Sequence, residues 1–143
     1  VSEDFFIRSF KSSDFNQVMN LWMETGLGNP ERGDDLVVVE RTLKLGGAFW
    51  VLEHKPTHQV IGTSWITNDG RRLYLHHFGI KPEFQGMHLA TSLLETSLAF
   101  AKETGLQIKL EVHQQNKKAI ELYQKAGFIN LGDYGVFIIR NYQ

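Results

Sequence analysis

The sequence predicts an α/β fold: a mixed, mostly antiparallel central sheet flanked by helices, in the order β-α-α-β-β-β-α-β-α-β-β. Three observations predict it. Leu73 to Ala101 reads as strand, glycine-containing turn and helix, and Ile108 to Val112 follows as another strand. Two strands joined through a helix pair in parallel by a right-handed crossover. The strands before that unit are separated by short turns, the mark of antiparallel hairpins.

Taken in order, Phe5 to Phe10 is the first strand. Ser13 or Asp14 caps a helix whose apolar face is Phe15, Val18, Met19, Leu21, Trp22 and Met23. Gly26, Gly28, Asn29 and Pro30 break it. Asp34-Asp35 open a second helix through Leu36, Val39, Leu43 and Leu45, stopped by Gly46-Gly47. Its Val37-Val38-Val39 run equally suits a strand, because β-branched side chains are stiff in helices. Ala48 to Glu53 and Gln59 to Thr67 flank a turn at Lys55-Pro56-Thr57. Asn68-Asp69-Gly70 turns the chain into the central strand, which carries Leu73, Leu75, Phe78 and Ile80. The long helix repeats Leu89, Leu93, Leu94, Ser97 and Ala101 and stops at Gly105. Asn116 to Ala126 is the last helix. Phe128 to Leu131 and Val136 to Ile139 form a closing hairpin.

A chain of 143 residues suits a single domain, 1-143. Its 42% hydrophobic and 12% aromatic residues support a packed core and argue against disorder. The net charge of -1 makes no electrostatic case for nucleic acid or an anionic membrane. With no cysteine there is no disulfide, thiolate metal site or cysteine-acyl intermediate. His54, His58 and His113 form no metal-ligand pattern. The opening VSEDFFIRSFK has no apolar signal core and no run reaches membrane-spanning length, so a cytoplasmic location is the expectation.

A strand that passes through a glycine turn into a helix presents free first-turn N–H groups to an anion. An ordinary connection has the same appearance. Two motifs bear on the choice. The first is Gln85-Gly86-Met87-His88-Leu89-Ala90. The second runs from the strand Leu110 to Val112 through Asn116, Ala119 and Leu122-Tyr123 to Gly127-Phe128. In order and separation they resemble the GNAT (GCN5-related) N-acetyltransferases and cover about a third of the chain. His88 departs from the pattern, which usually has glycine there.

The resemblance implies an acetyl-CoA-dependent N-acetyltransferase, acting by direct attack in a ternary complex. Acetyl-CoA is the co-substrate and no metal is implied. The backbone of Phe78, Gly79 and Ile80 would pair with the pantetheine arm, with Gly79 leaving room for close approach. The loop Gln85, Gly86, Met87, His88, Leu89 and Ala90, with Thr91 behind it, would hold the pyrophosphate. Asn116 would touch the pantetheine arm, and Ala119 belongs to the same helix motif. Tyr123 would protonate the leaving sulfur. It lies seven residues after Asn116, on the same helix face. A tyrosine that only packs beside Leu122 and Phe128 is the plainer alternative.

The general base is His76 or Glu111. His76 lies two residues before Phe78 and so shares its face by strand alternation, while His77 points to the opposite face. Glu111 sits on the following strand, five residues before Asn116, as in members that act on protein N-termini. The acceptor is a primary amine, a small molecule by preference or a peptide N-terminus. The acceptor pocket is expected from the first two helices and the loop Glu24 to Asp35, whose Glu24, Glu31, Asp34 and Asp35 would attract a cation. A solvated surface loop fits those residues as well. Trp22, Trp50 and Trp65 fit a pocket floor or the core. A GNAT-shaped module that holds CoA without turnover is the rival reading. Homodimers are common in the family, but no residue here marks an interface.

Overall fold

Five strands line up in sequence order in one sheet: β1 (Phe5–Ser9), β2 (Ala48–His54), β3 (Gln59–Asn68), β4 (Arg72–Ile80) and β5 (Gln107–Leu110). The computed structural model describes residues 2–28 and 30–142. Asn29, read above as part of a helix stop, lies outside the described residues. The first four strands are antiparallel. β4 and β5 are parallel, joined by the crossover helix α3 (Leu89–Thr104). The other helices are α1 (Phe15–Thr25), α2 (Leu36–Lys44) and α4 (Lys117–Lys125). The chain falls into two compact units, Val1–Glu111 and Val112–Gln143.

Within the first unit, strand alternation sends apolar residues to both faces of the sheet. Phe49, Val51 and Trp65 form one cluster with Val18 and Trp22 of α1 and Val39 of α2. Leu52, Ile61 and Ile80 form another with Leu89 and Leu93 of α3. Each such side chain taken fully from water contributes about 1.5–3 kcal/mol, so the two clusters dominate what holds this unit together. Polar contacts cross each layer as well. Ser64 and Ser97 share a buried hydrogen bond of 2.6 Å between β3 and α3. Trp22 Nε1 donates to Thr63 Oγ1 at 2.9 Å between α1 and β3.

Two expected caps behave differently. Asp35 accepts from Val38 N at 2.9 Å and caps α2. Asp14 does not cap α1. Its carboxylate takes two hydrogen bonds from the Arg8 guanidinium and one from Lys11 N. The Arg8 pair holds the Asp14 carboxyl below its ordinary range.

The closing hairpin is a correction. No strand is found among the described residues after Leu110. Asn130 Oδ1 accepts from Gly132 N, and Asp133 N donates to Leu131 O. The chain thus turns at Asn130–Asp133, within the end of the expected strand Phe128 to Leu131. Ile129, Val136, Phe137 and Ile139 are exposed. Their pattern measured strand propensity, but a lone two-stranded hairpin is marginal in water without a partner edge.

Candidate active site

The first unit's site is built around an irregularity in β4. Register places Trp65 opposite His76 and Thr63 opposite Gly79, so β4 holds one residue more than β3 between these pairs. That is a β-bulge, and it inverts the alternation beyond it. His77 takes the inserted position with φ 46°. A non-glycine residue there costs about 1–2 kcal/mol, so the surroundings must hold it. They do. His77 packs edge-on against Trp22 and Trp65, with centroids 4.6 and 5.4 Å away. Its carbonyl accepts from Thr63 Oγ1 at 2.7 Å. Its Nε2 lies 3.0 Å from Asp34 Oδ1, and both side chains are largely buried. Gly28 makes room for this pair: a Cβ there would stand 2.6 Å from Asp34 Oδ2 and 2.7 Å from His77 Nε2.

The bulge overturns two expectations. His76 and His77 share one face, since both rings lie 5.4 Å from Trp65. His76 and Phe78 do not share a face, because Phe78 joins the cluster under α3. The acidic mouth is revised too. Asp34 is buried beside His77, Asp35 caps α2, and Glu24 stands 3.9 Å from Lys81. Those carboxylates have structural work. Nor does Gly79 leave open room: a Cβ there would meet Leu27 Cδ1 at 2.6 Å.

His76 faces a cavity of about 300 Å³. Thr67, Tyr74 and His76 line it together with Arg71, Arg72 and Lys109. His76 Nε2 and Thr67 Oγ1 share a hydrogen bond of 2.8 Å. Tyr74 stacks on the His76 ring at 4.5 Å, and its hydroxyl lies near the Glu111 carboxylate. Burial, more than the nearby His77, lowers the His76 pKa to about 4, so the imidazole is neutral at pH 7. Burial first, then the Glu111 carboxylate, raises the Tyr74 pKa. Glu111 itself is exposed, just beyond the end of β5. Tyr74 thus lies between the two candidate bases, stacked on His76 and near Glu111. A period of two from His76 points to Tyr74, a signal available in the sequence; nothing local points to Thr67 or to the bulge.

The β4–β5 ladder ends at Leu75 and Leu110, while β4 runs on to Ile80. A short 3₁₀ turn, Pro82–Phe84, then leads to the glycine loop. Gln85 Nε2 donates to Ile80 O at 2.9 Å and ties that loop to the strand end. Gly86 has φ 82° and His88, the residue preceding α3, has φ 61°. The left-handed backbone is what glycine supplies without cost at this position in the motif; His88 adopts it with an exposed side chain. His88 offers no side-chain cap to α3. Met87 is exposed, Leu89 is buried in the α3 cluster, and Ala90 and Thr91 complete the first turn.

In the second unit, Asn116 precedes α4 and its Oδ1 accepts from Ala119 N at 3.3 Å. Tyr123 is 8% exposed, with Phe128 edge-on at 5.6 Å. Burial pushes its phenol up to about 12, so it carries its proton throughout the physiological range.

Comparison with known proteins bears on this arrangement. Residues 15–128 match the acetyltransferase (GNAT) family. The chain belongs to that family. As a GNAT enzyme it is an acetyltransferase, and acetyl-CoA is the co-substrate of such enzymes. Glucosamine-6-phosphate N-acetyltransferase from Arabidopsis thaliana is 19% identical, with a TM-score of 0.71 over 99% of this chain and 100% of that one. Ribosomal-protein-S5-alanine acetyltransferase from Vibrio fischeri is 22% identical, with a TM-score of 0.74 over 92% and 83%. A putative acetyltransferase from Salmonella typhimurium, solved with its cofactor acetyl-CoA, is 21% identical, with a TM-score of 0.74 over 89% and 80%. Such likeness speaks for the GNAT fold. No helix among the described residues is long and apolar enough to cross a membrane.

Proposed function

We propose that this acetyltransferase moves the acetyl group of acetyl-CoA onto a small primary amine by direct attack, with residues 1–143 acting as one domain. The observation that carries the reading is the opening of α3. A helix N-terminus with no cap side chain follows a loop held by Gln85, behind a strand that outruns its neighbour. Uncapped first-turn N–H groups fit a pyrophosphate. The stretch of β4 from Phe78 to Ile80 lies where an extended pantetheine arm would add alongside a strand.

Bound acetyl-CoA supplies the thioester. The amine nitrogen forms a bond to the carbonyl carbon as the carbon–sulfur bond breaks, and the electron pair leaves on sulfur. The acceptor releases two protons in all. Tyr123 meets the departing sulfur with its hydroxyl. A phenol near 12 is a weaker acid than a thiol near 8.5 by about 3.5 pKa units, or about 5 kcal/mol. Its contribution in the rate-limiting step is therefore a hydrogen bond to the developing thiolate, with transfer completed as the sulfur departs. The phenolate then recovers its proton from solvent, so one proton is released overall.

His76 and Glu111 accept the protons of the amine. Neutral His76 has its lone pair available at pH 7 but holds a proton only below about 4. It therefore orients the amine and passes the proton on rather than storing it. The Glu111 carboxylate, near the Tyr74 hydroxyl, accepts that proton and releases it to solvent. A cavity of about 300 Å³ at His76 and Tyr74 suits a small amine better than a peptide.

The test is a calorimetric titration with acetyl-CoA, followed by mass spectrometry of a mixed amine and peptide library. Binding with acetylation of small amines supports the reading. Acetylation confined to peptide N-termini moves the acceptor class, and acetyl-CoA binding with no product from either points to a non-catalytic module.

A further inference from the structure

We propose that the acceptor is bipolar: its amine sits at His76 and Glu111, while a carboxylate or phosphate on the same molecule is held by Arg72, Arg71 and Lys109. The inference rests on the acetyltransferase reading and names the substrate class of that site.

The cavity wall has two chemistries. Up to the bulge, β4 presents Arg72, Tyr74 and His76 on one face by alternation. Lys109 is the register partner of Tyr74 on β5 and Thr67 its partner on β3. His76 lines the cavity and is neutral, and the Glu111 carboxylate stands just outside it near the Tyr74 hydroxyl, so this end suits an ammonium group. Arg71, Arg72 and Lys109 line the same cavity, with Asp69 as the facing carboxylate.

Asp69 is committed elsewhere. Its Oδ1 accepts from Arg71 N and Arg72 N at 2.7 Å each, closing the turn into β4. Those two bonds hold its carboxyl below the ordinary range, so it stays ionised and bound to its own backbone. Among the described residues, no side-chain ion pair within 4.0 Å involves Arg71, Arg72 or Lys109. The cluster thus keeps an excess of two positive charges beside a cavity of ligand size. Guanidinium groups present paired donors that match a carboxylate or phosphate.

Geometry limits the ligand's length. His76 lies four residues beyond Arg72, about 13 Å along an extended strand. An arginine side chain reaches back over part of that distance. The amine and the anion of the acceptor therefore stand several Å apart, as in an ω-amino acid or a phosphorylated amino sugar.

The experiment compares three acceptors with five-carbon chains: 5-aminopentanoate, 5-aminopentyl phosphate and pentylamine. Each is titrated calorimetrically into the full chain, alone and with CoA present, and each is assayed for turnover. Arg72→Gln and Lys109→Gln are run beside the wild type, with acetyl-CoA affinity as the control for folding. An anionic acceptor is expected to bind about tenfold or more tightly than pentylamine, since a charge-assisted hydrogen bond is worth about 1.5–3 kcal/mol. That advantage is expected to shrink about tenfold in Arg72→Gln, with pentylamine and acetyl-CoA affinities unchanged and the wild-type preference falling with added salt. Carboxylate against phosphate identifies the anion. Equal binding of all three amines overturns the proposal, as does an equal loss for charged and uncharged acceptors in the variants. Failure to bind acetyl-CoA would instead strike the acetyltransferase reading, and the calorimetric comparison of the amines alone would still decide this one.

Discussion

The chain passes from strand to helix twice with opposite results. At β4–α3, the turn leaves the helix N-terminus without a side-chain cap. Two left-handed residues, Gly86 and His88, carry the backbone round without offering an acceptor to the first-turn N–H groups. At β5–α4, the chain supplies its own acceptor, because Asn116 Oδ1 takes the Ala119 N–H. The first-turn donors of α3 meet no cap side chain, whereas at α4 one of them is taken by Asn116. A helix start is therefore a binding site only where the sequence withholds its cap. On the proposed function, α3 would hold the carrier and α4, with its start capped, would carry the acid Tyr123.

The contrast can be broken at several points. The largest expected effect is at α4. Tyr123→Phe should lower kcat about 100-fold or more while leaving acetyl-CoA affinity within twofold, measured by steady-state kinetics beside calorimetry. Equal kcat in the two proteins would reduce Tyr123 to a packing residue.

Next comes His76 on β4. Its folded pKa near 4 lies below the ordinary 6.5, so between those values the unfolded chain binds more protons. Stability should therefore rise with pH across that window and be lost on acidification, by up to about 3 kcal/mol from this residue. Urea melts of wild type and His76→Gln from pH 4 to 7 measure it; parallel slopes would show that His76 is not buried neutral. The same pKa predicts no histidine inflection above pH 5 in kcat/KM, whose alkaline rise should follow the acceptor amine.

Smaller effects test the two helix starts directly. Gly86→Val puts a β-branched side chain at φ 82°. It should cost about 1–2 kcal/mol of stability and weaken acetyl-CoA about tenfold. A thermal melt and a titration separate the two losses. Asn116→Ala should cost about 1 kcal/mol, read as a fall of roughly 2–4 °C in Tm, with acetyl-CoA affinity little changed. A drop in affinity as large as that for Gly86→Val would mean that Asn116 also contacts the carrier. His88→Gly has the smallest expected effect. Relief of about 1–2 kcal/mol of backbone strain is offset by roughly 0.5–1 kcal/mol of added unfolded-state freedom. Tm should rise slightly, and acetyl-CoA affinity should stay within threefold because main-chain amides make the cradle. A tenfold loss would show that the imidazole itself takes part.

Much of this was legible in the sequence because it is local. The helix spacing of Leu89, Leu93, Leu94 and Ala101, the stop at Gly105, the cap at Asp35 and the paired motifs at Gln85 and Asn116 depend on neighbours within a few residues. Their physics operates before any tertiary contact forms. The strand periodicity of residues 128–139 was equally visible yet produced no ladder, because pairing requires an edge that propensity does not supply. The face of His77 was misread for a related reason. Alternation has a period of two, and one inserted residue inverts it without leaving a local trace.

By itself, then, the sequence determined the order of the elements through β5 and α4, the glycine loop before α3 and the family. Only the tertiary structure decided where the chemistry gathers. It placed the bulge at His77 and buried Asp34 beside it. It set Tyr74, Thr67 and Glu111 around His76, and it aligned Arg72 and Lys109 on the same cavity. Bulges, buried ion pairs and cross-strand neighbours arise from contacts between residues distant in the chain, and their energies exist only once those residues have been brought together.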